Sequence, residues 1–452
     1  MIKISMPDNL IFKLIGSQKI PGSEEIRPFR YCLTINNDGG TILCNLLTYE
    51  ILFLDQAETA NFKNKSYVPG NSVTEYLWKH YFLVPKEFND KEFCDNTLTA
   101  FNLLSDSFHE KSITGYSIMT TTDCNARCFY CYEKNWEKFS MSEKTAKSVA
   151  EYIKEHSGGK PVSIRWFGGE PLYNSKAIDI ISSILCDSEI KYTSTMVSNG
   201  YLFNDEMINK AKEFWNLKHI QITLDGTSEI YNKCKNYAEA DSNPFERVIN
   251  NINKLLKSGI YVRIRLNMDL HNAENLTELV EFISDKFGNN QFLSVSAHLL
   301  YEGISNMSNP HAESERHRLY DKFFALEKLI ESKGFFDVSA FPDQRANSQC
   351  MASDDRCVLI TPDGRLGKCE HYINEHMWGN LNSKAIDKLQ IQFFKIYRPY
   401  FEQCGECPIR PVCQVLNACP AFPKRCDQYD RKYYIKNIKR KIQKSYEKAM
   451  NS

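Results

Sequence analysis

The sequence has 452 residues and carries 56 lysines and arginines against 56 aspartates and glutamates, so its formal net charge is zero. A balanced charge provides no overall field that would draw the protein to nucleic acid or to a membrane. No apolar run is long enough to span a bilayer, and the N-terminus lacks the basic and then apolar pattern of a signal peptide. We therefore expect a cytoplasmic protein of two or three domains, with neither nucleic acid nor a membrane as a partner.

Residues 1–110 are predicted to form a small domain of mixed α and β structure. The alternation between Arg30 and Leu47, interrupted by Asn37-Asp38-Gly39-Gly40, predicts a β-hairpin. Three short helices should follow, the first from Thr48 or Tyr49, the second with Ser72 as its N-cap, and the third from Asp90 to Leu104.

From residue 116 to about residue 300, patterns typical of strands and of helices alternate. Strands are predicted at 116–122, 162–167, 192–198, 219–225, 260–268 and 291–298. Helices are predicted between them at 141–156, 174–186, 204–215, 244–258 and 274–287. Six such units indicate an α/β fold, with a parallel sheet curled into a partial, TIM-like (β/α)6 barrel whose functional loops follow the strands.

The C-terminal third has a different character. A helix at 312–332 and a polar linker at 337–349 lead to a cysteine-rich segment with a hairpin around Pro362-Asp363-Gly364-Arg365. The tail, 427–452, is predicted to be a basic amphipathic helix, with eight lysines and arginines against three acids. Its apolar face consists of Tyr434, Ile438, Ile442, Tyr446 and Ala449. This helix either caps the protein or meets an acidic peptide.

Sixteen cysteines in a cytosolic chain indicate metal or redox chemistry rather than disulfides. Eleven of them lie in two segments, 124–131 and 350–426. The other five have apolar neighbours, and we interpret them as core residues: Cys32, Cys44, Cys94, Cys186 and Cys234.

The first segment places Cys124, Cys128 and Cys131 on the loop that leaves the first predicted strand of the barrel. Three thiolates this close can hold three irons of a [4Fe–4S] cluster, which usually takes four protein ligands. No fourth cysteine lies nearby, so one iron would be open to a small molecule. The alternatives are a zinc knuckle or three buried thiols, although zinc sites favour paired C-x2-C ligands.

This cysteine spacing, with Tyr130 before the last cysteine, resembles the radical S-adenosylmethionine (radical SAM) superfamily. The resemblance implies that the open iron binds the amino and carboxylate groups of S-adenosylmethionine, and that the reduced cluster cleaves this cofactor to a 5'-deoxyadenosyl radical. It also implies that Tyr130 belongs to the cofactor site.

The loop after the second strand, Gly168-Gly169-Glu170, matches the position of the superfamily's methionine-amino motif. Paired glycines let backbone approach a ligand closely, and a carboxylate can receive an ammonium group. Taken alone, this tripeptide is an ordinary turn. The resemblance therefore carries its assignment to the cofactor.

The next strands also end in residues that the resemblance assigns to the cofactor. Ser198 and Asn199 match the position where the family hydrogen-bonds the ribose, and Asp225 is expected to line the substrate side. Arg265 and Asn267 are two residues apart and so share one face of a strand. In relatives such residues reach the cofactor carboxylate or ribose, while a structural ion pair is the alternative for Arg265.

The second cysteine segment resembles the SPASM extension of radical enzymes that modify peptides and proteins, which houses two auxiliary [4Fe–4S] clusters. Eight thiolates suffice for two fully ligated clusters. The family pattern implies one set of Cys350, Cys357, Cys369 and Cys419. It implies a second set of Cys404, Cys407, Cys413 and Cys426. The last two spacings depart from the pattern, which leaves two further possibilities: Cys419 and Cys426 exchange sets, or one of them is left unligated. A pair of zinc ribbons is the alternative.

Glu370 directly follows a cysteine of the SPASM-like segment. In anaerobic sulfatase-maturing enzymes a carboxylate at this point, usually aspartate, is the catalytic base. The resemblance therefore implies that Glu370 is a catalytic residue, with a surface carboxylate as the alternative.

Together these features predict a radical SAM/SPASM enzyme with three [4Fe–4S] clusters, served by a reductant such as flavodoxin or ferredoxin. Residues 1–110 are similar to a winged-helix peptide-recognition domain, or are a plain structural cap. They would precede a barrel at 111–335, a SPASM domain at 336–430 and a basic helix at 431–452. The expected activity is crosslinking of a ribosomally made precursor peptide with a leader. Formylglycine formation in sulfatases, peptide epimerisation and a non-catalytic electron carrier are the rivals.

Overall fold

A computed structural model of the chain describes residues 1–19, 25–64, 68, 70–107, 112–239, 243–300, 313–335, 339–342, 350–383, 385–394, 404–413 and 428–451. In the described part of the chain, no helix is both long and apolar enough to cross a membrane.

The N-terminal region is a small α+β unit. Its elements are β1 (Ile2–Ser5), α1 (Asn9–Ile15), β2 (Ile26–Pro28), β3 (Cys32–Asn37), β4 (Gly40–Asn45), β5 (Glu50–Asp55), α2 (Gln56–Lys63), α3 (Ser72–Lys79), β6 (Leu83–Pro85) and α4 (Asp90–Ser107). Four strands form an antiparallel sheet in the order β1-β5-β4-β3, and β2 pairs with β6. The predicted hairpin is confirmed, because β3 and β4 pair from Cys32 with Asn45 to Asn37 with Gly40.

The helix predicted from Thr48 or Tyr49 is wrong, because residues 50–55 form the inner strand β5. Ile51 faces one hydrophobic cluster while Leu52 and Leu54 face another, so this strand is buried on both sides. In the sequence, a strand of that kind is a continuous apolar run, and hydrophobic periodicity alone cannot distinguish such a run from a buried helix. The helix begins later, at Gln56.

The second and third helices occur as predicted, with one change of cap. Asn71, rather than Ser72, caps α3, because its side chain accepts hydrogen bonds from the backbone N–H groups of Val73 and Thr74 at 3.0 Å each. Such a side chain satisfies donors that the first helical turn leaves free.

The central region contains the six predicted βα units. Its elements are β7 (Gly115–Thr121), α5 (Glu143–His156), β8 (Val162–Gly168), α6 (Ser175–Asp187), β9 (Tyr192–Ser198), α7 (Asp205–Glu213), β10 (Leu217–Leu224), α8 (Ser228–Lys235), α9 (Pro244–Lys257), β11 (Tyr261–Met268), α10 (Ala273–Phe287), β12 (Leu293–Leu299) and α11 (Glu313–Ser332). The strands β7 to β12 are parallel neighbours in chain order. Helix α8 lies at a position where no helix was predicted.

The two faces of this sheet differ in polarity. Along most of β9, β10 and β12, buried residues alternate with half-buried or exposed ones. The buried set is largely apolar and packs beneath the helices, as Ile220, Ile264 and Val295 do. The half-buried set carries polar residues, such as Gln221 and Ser296. The six strands therefore present a polar and partly accessible inner face.

The cysteine-rich segment continues the same sheet. Its described elements are β13 (Cys357–Ile360), β14 (Arg365–Gly367), β15 (Gly379–Asn380) and α12 (Lys388–Phe393), and the chain then reaches α13 (Gln428–Asn451). Strand β13 pairs in parallel with β7, and β14 and β15 follow in antiparallel fashion. The hairpin predicted around 362–365 is confirmed. Most of the predicted linker and the segment with Cys419 and Cys426 lie outside the described residues.

Helix α13 covers the N-terminal sheet. Ile442 is fully buried there, and Tyr434, Ile438 and Tyr446 pack around it against residues of β3, β4 and β5. Four of the five predicted face residues therefore have the expected role, whereas Ala449 is exposed. Phe341, from within the predicted linker, joins the same cluster and donates its backbone N–H to the Lys441 carbonyl at 3.0 Å.

Among the five cysteines interpreted as core residues, Cys44 and Cys94 are buried, and Cys32 and Cys234 are half-buried. Cys186 is exposed, so its interpretation as a core residue is wrong. It follows Leu185, the last buried residue of α6, and therefore lies on a different side of the helix from the buried stripe.

We predict that Ile442→Ala destabilises the contact between α13 and the N-terminal sheet by about 2–5 kcal/mol, because it leaves a cavity in a closed cluster. Chemical unfolding of the metal-free protein measures the change. Met450→Ala on the same helix is the control, since that side chain is 50% exposed. Equal effects of the two substitutions would contradict the packing described for α13.

Candidate active site

The three cysteines at 124–131 lie on the loop that leaves β7, as predicted. The Cys124 sulfur accepts a hydrogen bond from the Ala126 backbone N–H at 3.3 Å, and Asn199 Nδ2 lies 3.8 Å from it. Burial raises the pKa of the Cys124 thiol to about 12 and that of Cys131 to about 11. Thiolates in such a place require a bound cation, and a coordinating metal deprotonates them outright. N–H···S hydrogen bonds and partly buried thiols therefore fit an iron–sulfur cluster.

No three His, Cys, Asp or Glu side chains within the described ranges are spaced to hold a single metal ion. A cubane cluster differs from such a site, because its thiolate ligands bind separate irons.

The two glycines after β8 are required by the backbone that they contact. A Cβ atom on Gly168 would collide with the carbonyl oxygen of Thr121, and one on Gly169 with that of Asp123. The Gly169 N–H donates to Thr121 at 3.0 Å, and the Glu170 N–H to Asp123 at 2.9 Å. This loop is therefore packed directly on the start of the cysteine loop.

Glu170 joins this loop to the one after β9. Its fully buried carboxylate accepts hydrogen bonds from Ser198 Oγ and from the Asn199 backbone N–H, each at 2.8 Å, and from the Leu172 N–H at 3.2 Å. Burial raises the pKa of the Glu170 carboxyl to about 7, although these donors oppose the shift. Three of the predicted cofactor residues are thus brought together by one side chain.

Asn199 continues this network to the cysteine loop. Its side-chain amide donates to Asn125 Oδ1 at 2.7 Å, and its own oxygen accepts the Tyr201 N–H at 2.9 Å. The loops after β7, β8 and β9 therefore form one hydrogen-bonded unit.

Tyr130 belongs to a buried ionic cluster. Its hydroxyl lies 2.9 Å from both carboxylate oxygens of Asp225, and the Lys235 ammonium lies 3.0 Å from Asp225 and 3.1 Å from the Tyr130 oxygen. Asp225 is fully buried and Lys235 is 3% exposed. Burial acts against the charge of Lys235, but Asp225 raises the pKa of its ammonium well above the usual value.

Lys235 was missed in the sequence because it lies on α8, which was not predicted. Nothing in the sequence around position 235 distinguishes a buried lysine from an exposed one. The end of this helix also supports the cysteine loop directly. The Arg127 N–H donates to the Lys235 carbonyl at 2.8 Å, and the Ala238 N–H donates to Asn125 at 2.8 Å.

The inner face of the sheet carries Arg265 and Asn267 side by side, as predicted. Arg265 Nε donates to Asn267 Oδ1 at 2.9 Å, and Asn267 lies opposite His298 on β12. Burial and the charges of Arg265 and Arg263 lower the pKa of His298 to about 4. The imidazole is therefore neutral at neutral pH, and the positive charge of this face comes from the arginines.

Glu370 lies at the same face, where it forms an ion pair with Arg165 of β8 at 3.1 Å. The next residue, His371, packs against Tyr132, with ring centroids 4.3 Å apart. Since Tyr132 follows the last cysteine of the loop, Glu370 lies beside that loop although 239 positions separate it from Cys131 in the sequence.

The cysteines of the C-terminal segment that lie among the described residues form two groups. Cys357 begins β13 beside Gly115, and Cys350 and Cys369 flank that hairpin. The second group is a buried turn that contains Cys404, Cys407 and Cys413.

That turn is attached to the N-terminal unit. Arg410 reaches Asp95 with Nε at 3.0 Å and Nη2 at 2.6 Å, and Arg30 pairs with Glu406. The two groups of cysteines thus sit against different parts of the protein.

Comparison with known proteins shows which family the central region resembles. A model of the family described as the radical SAM superfamily matches residues 118–285. A GTP 3',8-cyclase of Clostridium perfringens (strain SM101 / Type A) is 25% identical over 268 residues, which is 56% of this chain and 80% of that protein. An uncharacterized protein of Methanocaldococcus jannaschii is 31% identical over 292 residues, which is 60% of this chain and 90% of that protein.

Solved structures share the fold over more of the chain. The structure described as anSMEcpe with bound AdoMet and Kp18Cys peptide has a TM-score of 0.57 and 16% identity, and covers 75% of this chain and 100% of that one. Streptococcus suis SuiB bound to precursor peptide SuiA has a TM-score of 0.52 and 13% identity, and covers 89% of this chain and 99% of that one.

We predict that Glu170→Gln weakens the binding of S-adenosylmethionine roughly tenfold and lowers the unfolding midpoint. The glutamine NH2 group would face one of the three groups that donate to the Glu170 carboxylate, so that hydrogen bond is lost. Its loss costs roughly 1–3 kcal/mol. Calorimetric titration and thermal unfolding measure the two effects. Glu229→Gln, at an exposed carboxylate, is the control. Unchanged affinity and stability would show that the loop does not depend on this carboxylate.

A second prediction concerns the ionic cluster of Tyr130, Asp225 and Lys235. Lys235→Met leaves a buried carboxylate without its counter-charge and should cost about 3–5 kcal/mol in the free energy of unfolding. Adding Asp225→Asn should recover part of that loss, because it removes the unpaired charge. Lys233→Met, at an exposed lysine of the same helix, is the control. Additive losses in the double variant would contradict a direct interaction.

Proposed function

The chain belongs to the radical SAM superfamily, and from that membership we propose that it crosslinks a ribosomally made precursor peptide through a thioether or a carbon–carbon bond. Membership implies one [4Fe–4S] cluster and S-adenosylmethionine. When bound, these cofactors supply the radical that abstracts a hydrogen atom, and auxiliary clusters would accept the electron left when the new bond closes.

The observation that carries the proposal is the pairing of β13 with β7. This pairing makes the cysteine-rich segment part of the central sheet, and it places that segment beside β7, the strand that leads into the loop with Cys124, Cys128 and Cys131. An enzyme that must remove a second electron from its substrate needs an acceptor beside the radical site. The structural similarity to SuiB, which covers 89% of this chain, supports the same arrangement of the barrel and the cysteine-rich segment.

We assign two auxiliary [4Fe–4S] clusters to the SPASM-like segment. Cys350, Cys357 and Cys369 would hold the one beside the barrel, and Cys404, Cys407 and Cys413 the one beside the N-terminal unit. The separation of these groups supports two sites instead of one. The remaining ligands would be Cys419 and Cys426, in either order.

The chain's own residues would orient the cofactor and move a proton. Ser198 and Asn199 at the end of β9 and Arg265 on β11 would line the cofactor site, and Tyr130 would border the cofactor from the cysteine loop. Glu370 would accept the proton that the substrate loses, as a general base. Its ion pair with Arg165 orients the carboxylate.

Two rivals within the enzyme class have support of their own. Formylglycine formation is favoured by the position of Glu370 and by the shared fold with anSMEcpe. A nucleotide substrate is suggested by the curated relatives named GTP 3',8-cyclase. Epimerisation starts from the same radical. An electron carrier is disfavoured, because it does not need the loop network around Glu170.

The direct test is mass spectrometry of a precursor peptide encoded beside the gene, after anaerobic incubation with the reduced enzyme, S-adenosylmethionine and flavodoxin or ferredoxin. A crosslink appears as a peptide that has lost two hydrogens and fragments as a ring. Formylglycine, deuterium uptake from heavy water without mass loss, or turnover of added GTP would each overturn the proposal. Glu370→Gln should retain cleavage of S-adenosylmethionine and lose the crosslink.

We also predict about twelve irons per chain after anaerobic reconstitution, as three clusters of four. Replacing Cys124, Cys128 and Cys131 together with Ala should remove about four irons and all cleavage of S-adenosylmethionine. Replacing Cys404, Cys407 and Cys413 should also remove about four irons but retain cleavage. Iron analysis and product chromatography measure the outcome. Cleavage by the first variant would contradict the assignment of the radical site.

A further inference from the structure

The turn that holds the second group of C-terminal cysteines is built on the N-terminal sheet. Ile409 lies between Cys407 and Cys413 in the sequence and is 1% exposed, inside an apolar cluster to which the sheet contributes. Cys407 belongs to the same cluster, as do Leu33 of β3 and Ile51 of β5. The described part of this turn therefore shares the core of the N-terminal unit.

Arg410 makes the polar contact between the turn and helix α4. Its side chain is 3% exposed, and it donates to one carboxylate oxygen of Asp95 from Nε at 3.0 Å and from Nη2 at 2.6 Å. Lys91, one turn earlier on α4, lies 3.6 Å from the other oxygen of Asp95, but its side chain is exposed. Because exposed ion pairs contribute little and buried, hydrogen-bonded ones contribute more, Arg410 is the main partner of this carboxylate.

Arg30 makes the reverse contact, from the N-terminal unit to the turn. Its side chain donates to the Gly405 carbonyl at 3.2 Å and pairs with Glu406. Its backbone N–H donates to Asp90, the first residue of α4, at 2.9 Å. The same helix therefore supports both arginine contacts.

Arg410 also belongs to the backbone that carries the thiols. Its N–H donates to the Cys407 carbonyl at 3.1 Å, and its own carbonyl accepts the N–H of Cys413 at 3.3 Å. A further bond, from the Cys407 N–H to the Cys404 carbonyl at 3.2 Å, continues this series. Because the residue in the middle of the series also binds Asp95, the geometry of the turn depends on α4.

The surroundings of these thiols fit an iron–sulfur cluster. All three cysteines of the turn are buried. Burial raises the pKa of the Cys407 thiol, while the Ile409 backbone N–H and the charges of Arg431 and Arg410 oppose that shift. Hydrogen bonds to the sulfur atoms and the net charge nearby are among the factors that set the reduction potential of a bound cluster.

We propose that the N-terminal unit is part of the second auxiliary cluster site, with Arg410 as a positioning residue and Asp95 as its counter-ion. The guanidinium would keep the turn in the shape that binds the cluster. It would also raise the reduction potential, because a nearby cation favours the more negative, reduced form. Asp95 would lower the potential by the same argument while it holds Arg410 in place. This inference rests on the proposed function for the presence of that cluster.

The test uses the full-length protein after anaerobic reconstitution. Electron paramagnetic resonance during a redox titration gives the midpoint potential of each cluster, and the variant without Cys404, Cys407 and Cys413 identifies the signal of this one by its absence. The rate at which bipyridine removes iron measures how firmly the site holds the cluster. Neither measurement requires turnover of a peptide.

The two partners should shift the potential in opposite directions. Arg410→Met removes a cation and should lower the midpoint potential, whereas Asp95→Asn removes an anion and should raise it. Both should accelerate the loss of iron from this cluster roughly tenfold or more, as is typical of substitutions next to metal ligands. Asp95→Glu keeps the charge and should restore most of the original behaviour. Glu92→Gln, at an exposed carboxylate of the same helix, is the matched control and should change neither quantity.

The outcomes separate this inference from the proposed function. If Asp95→Asn and Glu92→Gln behave alike, the inference is overturned even when the enzyme crosslinks its precursor. Shifts of the same sign in Arg410→Met and Asp95→Asn also overturn it, because a contact with no electrostatic effect on the cluster has no reason to give opposite signs. If Arg410→Met does not retain the cluster, the sign of the shift in Asp95→Asn decides.

Two further results concern the proposed function. If the shifts occur as expected but no peptide is modified, the inference stands and the proposed reaction fails. If the unaltered protein binds no cluster at this turn, the assignment of the auxiliary cluster fails and the inference fails with it.

Discussion

The buried carboxylate of Glu170 is the interaction on which the candidate active site depends. It accepts hydrogen bonds from the loops after β8 and β9, while the two glycines before it lie against the backbone of the cysteine loop. Burying an ionisable carboxylate costs free energy unless hydrogen-bond donors surround it. Here the donors come from the loops that must lie close together to form the site. The carboxylate therefore fixes the relative position of three loops before any cofactor is present.

A second buried ionic cluster also supports the cysteine loop. Asp225 and Lys235 hold Tyr130 from the end of β10 and from α8. Both clusters surround the cysteine loop, which has no regular secondary structure of its own and is carried by its contacts. A rigid scaffold of parallel strands thus positions an irregular loop through a small number of polar anchors.

Much of this arrangement was predictable from the sequence, for reasons that differ between elements. The parallel strands were recognisable because each lies between helices with clear periodicity. Strand β5 was not, because burial on both faces removes the alternation that identifies a strand. Lys235 was not, because nothing in the local sequence distinguishes a lysine that is buried beside a carboxylate from an exposed one.

The pairing of β13 with β7 shows a further limit. It joins Gly115 to Cys357 across more than half of the chain, and only tertiary structure defines such a contact. The cysteine spacing indicated that the two segments work together. It did not indicate that one sheet would contain both, or that Glu370 would meet Arg165.

The position of α13 on the N-terminal sheet has a consequence for how the chain acquires its structure. Gln443 contacts Asn37 across 406 positions of sequence, and the apolar face of β3, β4 and β5 is covered by residues from the same distant helix. A ribosome adds roughly 5–20 residues per second, so that face stays uncovered for about 20 seconds or longer during synthesis. Over that interval the sheet presents an apolar face, with β3 as its last described strand. The nascent protein therefore needs protection from self-association until its last helix has emerged, and slower translation would increase that need.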